Sequence, residues 1–186
     1  REQILDAATR VFGDFGYAGA TTDRVAQTAG ISQPYVVRMF GTKENLFVEM
    51  LERTCARIEQ VMRTALADTD DLRPPPARIA AAYVDLVEDR GIMLSLMQGF
   101  ILGGDPRIGP VARDGFMRIY RLLRDEAGFD ADTARQFLAN GMLINTLLAS
   151  GLNTRLDSDP DAVELFECTF GSKLSFVLDG LAAHPR

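Results

Sequence analysis

The sequence contains few of the residues that catalysis and metal binding most often require. Its 186 residues include one histidine, His184, and two cysteines, Cys55 and Cys168, which lie far apart in the chain. No carboxylate pair, Cys/His pair or glycine-rich phosphate loop stands at a spacing typical of an active site. We therefore predict that the protein is not an enzyme, has no catalytic residue, and binds neither a metal ion nor a cofactor.

Long hydrophobic runs are also missing. The longest candidate, residues 91–102, is interrupted by Ser95, Gln98 and Gly99, and a membrane span needs about 20 apolar residues. The charged first three residues are not followed by the apolar region of a signal peptide. Two isolated cysteines suit a reducing compartment. We expect a cytoplasmic protein that does not contact the membrane.

Apolar residues recur at helical spacing along nearly the whole chain, and no stretch alternates long enough to predict a strand. The pattern predicts an all-α fold. Polar, glycine-rich or proline-rich breaks separate the predicted helices, above all residues 68–76 (DTDDLRPPP). The predicted helices cover residues 4–15, 23–29, 32–40, 42–67, 75–90, 92–102, 106–127, 131–153 and 160–182.

The short helices at the start have the spacing of a helix-turn-helix. Thr22 is the predicted N-cap of the second helix, and Gly30 ends that helix with a positive φ. In the third helix, Val36 and Phe40 are four residues apart and are predicted to face the core. Thr42 is the predicted N-cap of the long fourth helix. This spacing predicts that the third helix keeps an outer face free for the DNA major groove.

The predicted outer face carries residue types that read DNA. Gln33 can bond adenine bidentately, and Arg38 can bond guanine or phosphate. Pro34 and Tyr35 can touch a thymine methyl group. The alternative for Arg38 is a solvated surface charge, and for Tyr35 it is local packing.

Five ordered motifs carry a family resemblance: ILDAA (4–8), FGDFGY (12–17), TTDRVA (21–26), AGIS (29–32) and FGTKENLF (40–47). Together they resemble the N-terminal signature of the TetR family. The resemblance implies a three-helix helix-turn-helix domain over residues 1–47, which a long fourth helix joins to a larger helical ligand-binding and dimerisation domain over residues 48–186. It also implies a homodimeric repressor that a small, largely apolar effector releases from a palindromic DNA operator.

The resemblance also implies roles for single residues. Thr22 and Lys43 correspond to phosphate-contacting positions, Thr42 precedes Lys43 at the start of the fourth helix, and Gln33 and Pro34 resemble a base-contacting pair. Each has a plainer interpretation: Thr22 as a helix cap, Lys43 as a solvated charge. Val37 departs from the family, which usually has a tyrosine there that contacts the DNA backbone.

Charge gives an alternative some weight. The net charge is −6, and residues 1–50 hold five basic and six acidic side chains, a net charge of −1. DNA binding must therefore depend on a few placed groups rather than on a broad positive field. The alternative is a helical ligand-binding or protein-interaction module that has lost DNA binding. The near-neutral first fifty residues and Val37 favour it.

The remaining chain offers candidates for a pocket and a dimer interface. Adaptable methionines, aromatic residues and an amide in an apolar helix are typical of a permissive ligand pocket, and the alternative is ordinary core. The predicted pocket residues are Met93, Met97, Phe100, Phe116, Tyr120 and Asn140. Apolar stripes on the last two predicted helices indicate helix packing, against either the same chain or a second copy. The predicted dimer residues are Phe137, Gly141, Ile144, Leu148, Phe166, Phe170 and Leu174.

Overall fold

The computed structural model describes residues 1–86 and 89–183. All regular secondary structure in these residues is helical, which confirms the predicted all-α class. The helices are α1 (Glu2–Gly19), α2 (Thr22–Thr28), α3 (Gln33–Phe40), α4 (Lys43–Ala67), α5 (Pro75–Asp85), α6 (Arg90–Ile101), α7 (Ile108–Arg121), α8 (Ala131–Ser150), α9 (Pro160–Phe170) and α10 (Leu174–Ala183).

The chain forms two compact units. The first unit comprises residues 1–57 and 91–118, and the second comprises the described part of residues 58–90 and 119–186. The first unit is thus larger than the predicted DNA-binding domain, because most of α6 and α7 packs with the N-terminal helices. The predicted domain boundary at residue 47 stays a prediction.

The first helix packs through one apolar face. Ile4, Leu5 and Phe12 are buried on it, as the helical spacing predicts. The helix kinks at Gly16, whose φ of 65° is outside the helical range. Helical spacing alone assigns Phe15 to the same apolar face and so to the core, and this assignment is wrong, because Phe15 is half exposed beside the kink.

The second and third helices follow the predicted pattern with one correction. Thr21, not Thr22, is the N-cap of α2, and its side chain accepts a hydrogen bond from the Arg24 N–H at 3.1 Å. Gly30 has the predicted positive φ, 66°. Val36 and Phe40 are buried, as predicted, and Pro34, Tyr35, Val37 and Arg38 are exposed.

The fourth helix begins as predicted. The Thr42 hydroxyl accepts a hydrogen bond from the Asn45 N–H at 3.1 Å, which satisfies a free donor of the first turn. Within the first unit, glycines of α6 and α7 let this helix pack closely. A Cβ at Gly99 would lie 2.8 Å from the Leu51 side chain, and one at Gly115 would overlap the Cys55 sulfur.

Several predicted helices differ from those observed. The helix predicted over 160–182 is interrupted by a 3₁₀ turn (Gly171–Lys173), because Gly171 takes a φ of 52°. The helix predicted over 106–127 begins at Ile108 and ends in a π-helical turn (Leu122–Glu126). The helix predicted over 75–90 includes residues 87–88, which lie outside the described residues.

Residues 1–86 and 89–183 include no helix long and apolar enough to cross a membrane. The same part of the chain has no group of three or more His, Cys, Asp or Glu side chains arranged to hold a metal ion. His184, the histidine of the sequence analysis, lies outside the described residues.

Candidate nucleic-acid interface

The third helix presents two opposite faces. Val36 is completely buried and Phe40 nearly so, which fixes the helix on the first unit. Four residues that the sequence predicts to meet DNA are exposed on the other side, namely Pro34, Tyr35, Val37 and Arg38. The Arg38 guanidinium lies 5.0 Å from the centre of the Tyr35 ring. The outer face therefore combines a cation with apolar groups.

The beginnings of α2 and α3 meet through two of the predicted contact residues. The Gln33 side-chain amide donates a hydrogen bond to the Thr22 hydroxyl at 3.3 Å. Because Thr21 is the N-cap, the Thr22 side chain is not occupied by capping α2. Both side chains are half-buried. The contact brings the first turn of α2, whose backbone N–H groups favour an anion, next to the first turn of α3.

Lys43 is engaged within the protein. Its ammonium group donates a hydrogen bond to the Tyr17 carbonyl oxygen at 2.8 Å and lies 4.6 Å from the centre of the Tyr17 ring. The interpretation of Lys43 as a purely solvated charge therefore does not fit. Burial raises the pKa of Tyr17, and the carboxylates of Glu44 and Asp105 raise it further.

Most acidic groups of the first fifty residues are paired with arginines. Arg53 binds Glu2 and Asp6, Arg1 binds Glu49, and Arg107 binds Glu44. The helix α3 itself has no acidic residue. The near-zero formal charge of this segment thus does not describe the outer face of α3, where Arg38 is the charged side chain.

Sequence reasoning missed Arg24 as a member of this surface. Its guanidinium lies 4.3 Å from the centre of the half-exposed Phe15 ring. Phe15 directly precedes Gly16, the kink at which the first predicted helix ends. The motif TTDRVA contains Arg24, but nothing in the motif shows which way its side chain points.

The predicted pocket residues are divided between the two units. In the first unit Met93 is fully buried, and the rings of Phe100 and Phe116 meet edge to face at 5.7 Å. Met97 is half-buried on α6. In the second unit Tyr120 is half-buried, whereas Asn140 is exposed on α8. The structure thus brings Phe100 and Phe116 together in the first unit, while Asn140 lines a groove of the second unit.

The second unit has an apolar groove of about 300 Å³ between α5, α8 and α9. Three predicted dimer residues line it, Phe137, Gly141 and Ile144. Leu143 and Leu165 also line it and are each 38% exposed. Sequence reasoning had not selected Leu143.

The other predicted dimer residues lie differently. Leu148, Phe166 and Phe170 are buried within the chain, as is most of Ile144, and Leu174 is half-buried. Their burial makes them core residues of the second unit. The apolar side chains free to meet another molecule are therefore their exposed neighbours, Leu143 and Leu165.

A buried polar pair lies beside this groove. The Tyr83 hydroxyl donates a hydrogen bond to the Asn145 carbonyl oxygen at 3.1 Å. Burial raises the pKa of Tyr83 to about 12. The Asn145 side-chain nitrogen has no hydrogen-bond partner among the described residues. The pair explains why an amide is tolerated in this apolar helix: Tyr83 satisfies its oxygen.

The fold and the outer face of α3 define a helix-turn-helix protein. Residues 4–50 match the family model described as bacterial regulatory proteins, tetR family. A TetR-like transcriptional regulator from Rhodococcus sp. RHA1 has the same fold, with a TM-score of 0.62 and 24% identity, over 98% of this chain and 96% of that one. The chain is thus similar to the TetR family in sequence over residues 4–50 and to a TetR-like regulator in fold over nearly its whole length.

Two curated relatives carry the similarity in sequence. The chain is 29% identical over 141 residues to the HTH-type transcriptional activator FasR of Mycolicibacterium smegmatis, over 73% of this chain and 64% of FasR. It is 39% identical over 62 residues to the HTH-type transcriptional repressor AcnR of Corynebacterium glutamicum, over 33% of each chain. The chain thus spans from a third to just under two thirds of these relatives.

Proposed function

We propose that this protein is a homodimeric, sequence-specific DNA-binding regulator of transcription in the cytoplasm. It acts as a repressor that a small, largely apolar effector releases from a palindromic operator. One observation carries the DNA-binding part: α3 is anchored by Val36 and Phe40 and presents Tyr35, Val37 and Arg38 to solvent. An anchored helix with a free outer face is what insertion into a major groove requires.

The contacts divide into those that read bases and those that bind the backbone. Gln33 and Arg38 hydrogen-bond base edges, and Tyr35 makes apolar contact with thymine methyl groups together with Pro34 and Val37. Thr22, Thr42 and Lys43 bind phosphate oxygens beside the N-termini of α2 and α4. Val37 donates no hydrogen bond, so Arg38, which lies against Tyr35, supplies the donor on this part of the helix.

The dimer follows from the small size of one recognition helix. A single short helix reads few base pairs, so sequence selectivity requires two half-sites and two copies of the chain. The groove between α5, α8 and α9 supports this, because Leu143 and Leu165 expose apolar surface beside Phe137 and Gly141. A second copy would cover that surface.

The effector binds the apolar side chains of α6 and α7, with Phe100 and Phe116 as the aromatic wall and Met97 as an adaptable neighbour. Release from DNA requires that the effector bind the DNA-free state more tightly than the DNA-bound state. AcnR is a repressor, which supports repression, whereas FasR is an activator among the relatives.

Selection of bound DNA from a random pool tests the proposal. We expect a palindromic site with binding that weakens steeply with salt.

Arg38→Ala should relax selectivity at one position at a cost of about 1–3 kcal/mol, whereas Lys43→Ala should weaken all sites and reduce the salt slope by about one. Arg135→Ala, at an exposed arginine of α8, is the matched control. No enriched sequence at any half-site spacing would favour a module that has lost DNA binding.

A further inference from the structure

The turn between α6 and α7 contacts the beginning of α4 inside the first unit. One terminal nitrogen of the Arg107 guanidinium donates a hydrogen bond to the Glu44 carboxylate at 2.9 Å. The other donates to the side-chain oxygen of Asn45. Arg107 thus binds two neighbouring residues in the first turn of α4, although it lies more than sixty residues away from them in sequence.

Asn45 connects Arg107 to the recognition helix α3. Its side-chain nitrogen donates a hydrogen bond to the carbonyl oxygen of Phe40, the last residue of α3, at 3.0 Å. Its backbone N–H donates to the Thr42 hydroxyl. With Arg107 on its oxygen, the Asn45 carboxamide has one orientation that satisfies both ends. Asn45 therefore joins the end of α3 to the start of α4.

Hydrogen bonds to Asp105 hold the backbone of Arg107 in place. The Asp105 carboxylate accepts hydrogen bonds from the N–H groups of Arg107, at 2.8 Å, and Ile108, at 2.9 Å. These two N–H groups, with the charge of Arg107, hold the pKa of Asp105 below its usual range. The side chain of Ile108 is completely buried. The backbone that carries Arg107 is thus held at α7 independently of its contact with α4.

We infer that Arg107 is a positioning residue for DNA recognition: through Asn45 it fixes the angle between the recognition helix α3 and α4. This inference rests on the proposed DNA-binding function. Arg107 does not touch DNA in this role. It pre-organises α3, so that the cost of ordering the helix is met before DNA binds. Without Arg107 the Asn45 carboxamide can rotate, and the hydrogen bond to Phe40 loses its support.

The salt dependence of binding distinguishes positioning from direct contact. In the intact protein, Arg107→Ala and Asn45→Ala should each weaken operator binding about tenfold, the scale of one hydrogen bond to a charged group. The double variant should be no weaker than either single one, because both remove the same link. The slope of affinity against salt should stay unchanged, whereas loss of a phosphate contact lowers it by about one. Arg107→Lys should recover part of the affinity.

Arg113→Ala is the matched control, because the Arg113 guanidinium donates its hydrogen bond to the Gly103 carbonyl oxygen, in the turn between α6 and α7, and not to α4. It should leave operator affinity within about twofold. Hydrogen exchange of the DNA-free protein supplies a readout that needs no DNA: the amides of residues 41–46 should exchange faster in Arg107→Ala and Asn45→Ala, and not in Arg113→Ala.

The two readouts separate the possible failures. Unchanged exchange at residues 41–46 in Arg107→Ala overturns the positioning role, whatever happens to DNA binding. A lower salt slope with additive losses shows that Arg107 binds phosphate itself and also overturns it. If the wild-type protein binds no DNA but residues 41–46 still exchange faster in Arg107→Ala, the link from Arg107 to α3 is real. The proposed function then fails, and the role of Arg107 in recognition fails with it.

Discussion

The hydrogen bond between Tyr83 and Asn145 makes one hydroxyl group important for the second unit. Tyr83 is almost fully buried, and its hydroxyl satisfies the Asn145 oxygen. Tyr83→Phe would leave the whole buried carboxamide without a partner, which costs about 1–3 kcal/mol of unfolding free energy. We expect this loss in urea unfolding at neutral pH. The double variant Tyr83→Phe with Asn145→Leu should recover most of it, because both polar groups are then gone.

The pKa of Tyr83 adds a pH dependence. Its pKa is about 12 in the folded chain, above its ordinary value of about 10 in an unfolded one. Above pH 10 the unfolded state therefore loses the proton first. This contribution to stability is complete below pH 10 and is lost as the pH rises toward 12. This prediction would be contradicted if the unfolding free energy of the wild type fell no faster than that of Tyr83→Phe between pH 10 and 11.

Single residues show what local sequence can and cannot predict. Gly30 and Thr42 behave as expected, since a helix end demands a particular residue type at a particular place. Thr21 and Thr22 are chemically equal, and only the backbone conformation decides which one is the cap. The contact of Arg107 with Asn45 has no local signal, because the chain between them is more than sixty residues long.

At the scale of helices, α4 and α7 pack at a point where only glycine fits. A methyl group at Gly115 would overlap the Cys55 sulfur. Gly115→Ala should therefore destabilise the first unit by about 1–3 kcal/mol, the usual cost of overpacking. Adding Cys55→Ala should relieve part of the overlap, so the two changes should be strongly non-additive in thermal unfolding.

Gly104→Ala is the matched control for this prediction. A Cβ at Gly104 meets no atom within 4 Å, and its φ is not positive. We expect it to change the unfolding free energy little, or to raise it slightly because alanine restricts the unfolded chain. Equal losses at Gly104 and Gly115 would show that backbone freedom, not packing against Cys55, determines the effect.

The helices themselves could largely be predicted, and their grouping could not. Apolar spacing and capping residues placed α2, α3 and α4 within about one residue of their observed bounds. The same spacing could not show that α6 and α7 pack with the N-terminal helices, because an apolar stripe says nothing about which partner it meets. The division of the last predicted helix at Gly171 was missed for a related reason: glycine is permissive, and tertiary packing decides whether it bends the chain.

At the scale of the whole molecule, the proposed dimer needs a surface on which two copies can meet. The buried dimer candidates, such as Phe166, show that the last helices must first complete the core of their own unit. What they leave outside is a short apolar surface at Leu143 and Leu165. An interface built there would have a small apolar centre and would depend on these two side chains. Exposed aliphatic groups in a groove are the surface from which a partner can exclude water.

Leu165→Glu tests that interface. It places a charge in the apolar groove, so burial against a second copy becomes unfavourable. By light scattering we expect the wild type to be a dimer and this variant a monomer with unchanged helical content. Operator binding should fall by about 100-fold or more, because two half-sites then lose their linkage. Leu72→Glu, at a leucine that is 96% exposed and outside the groove, should leave both unchanged. A dimeric Leu165→Glu protein with wild-type affinity would place the dimer interface elsewhere.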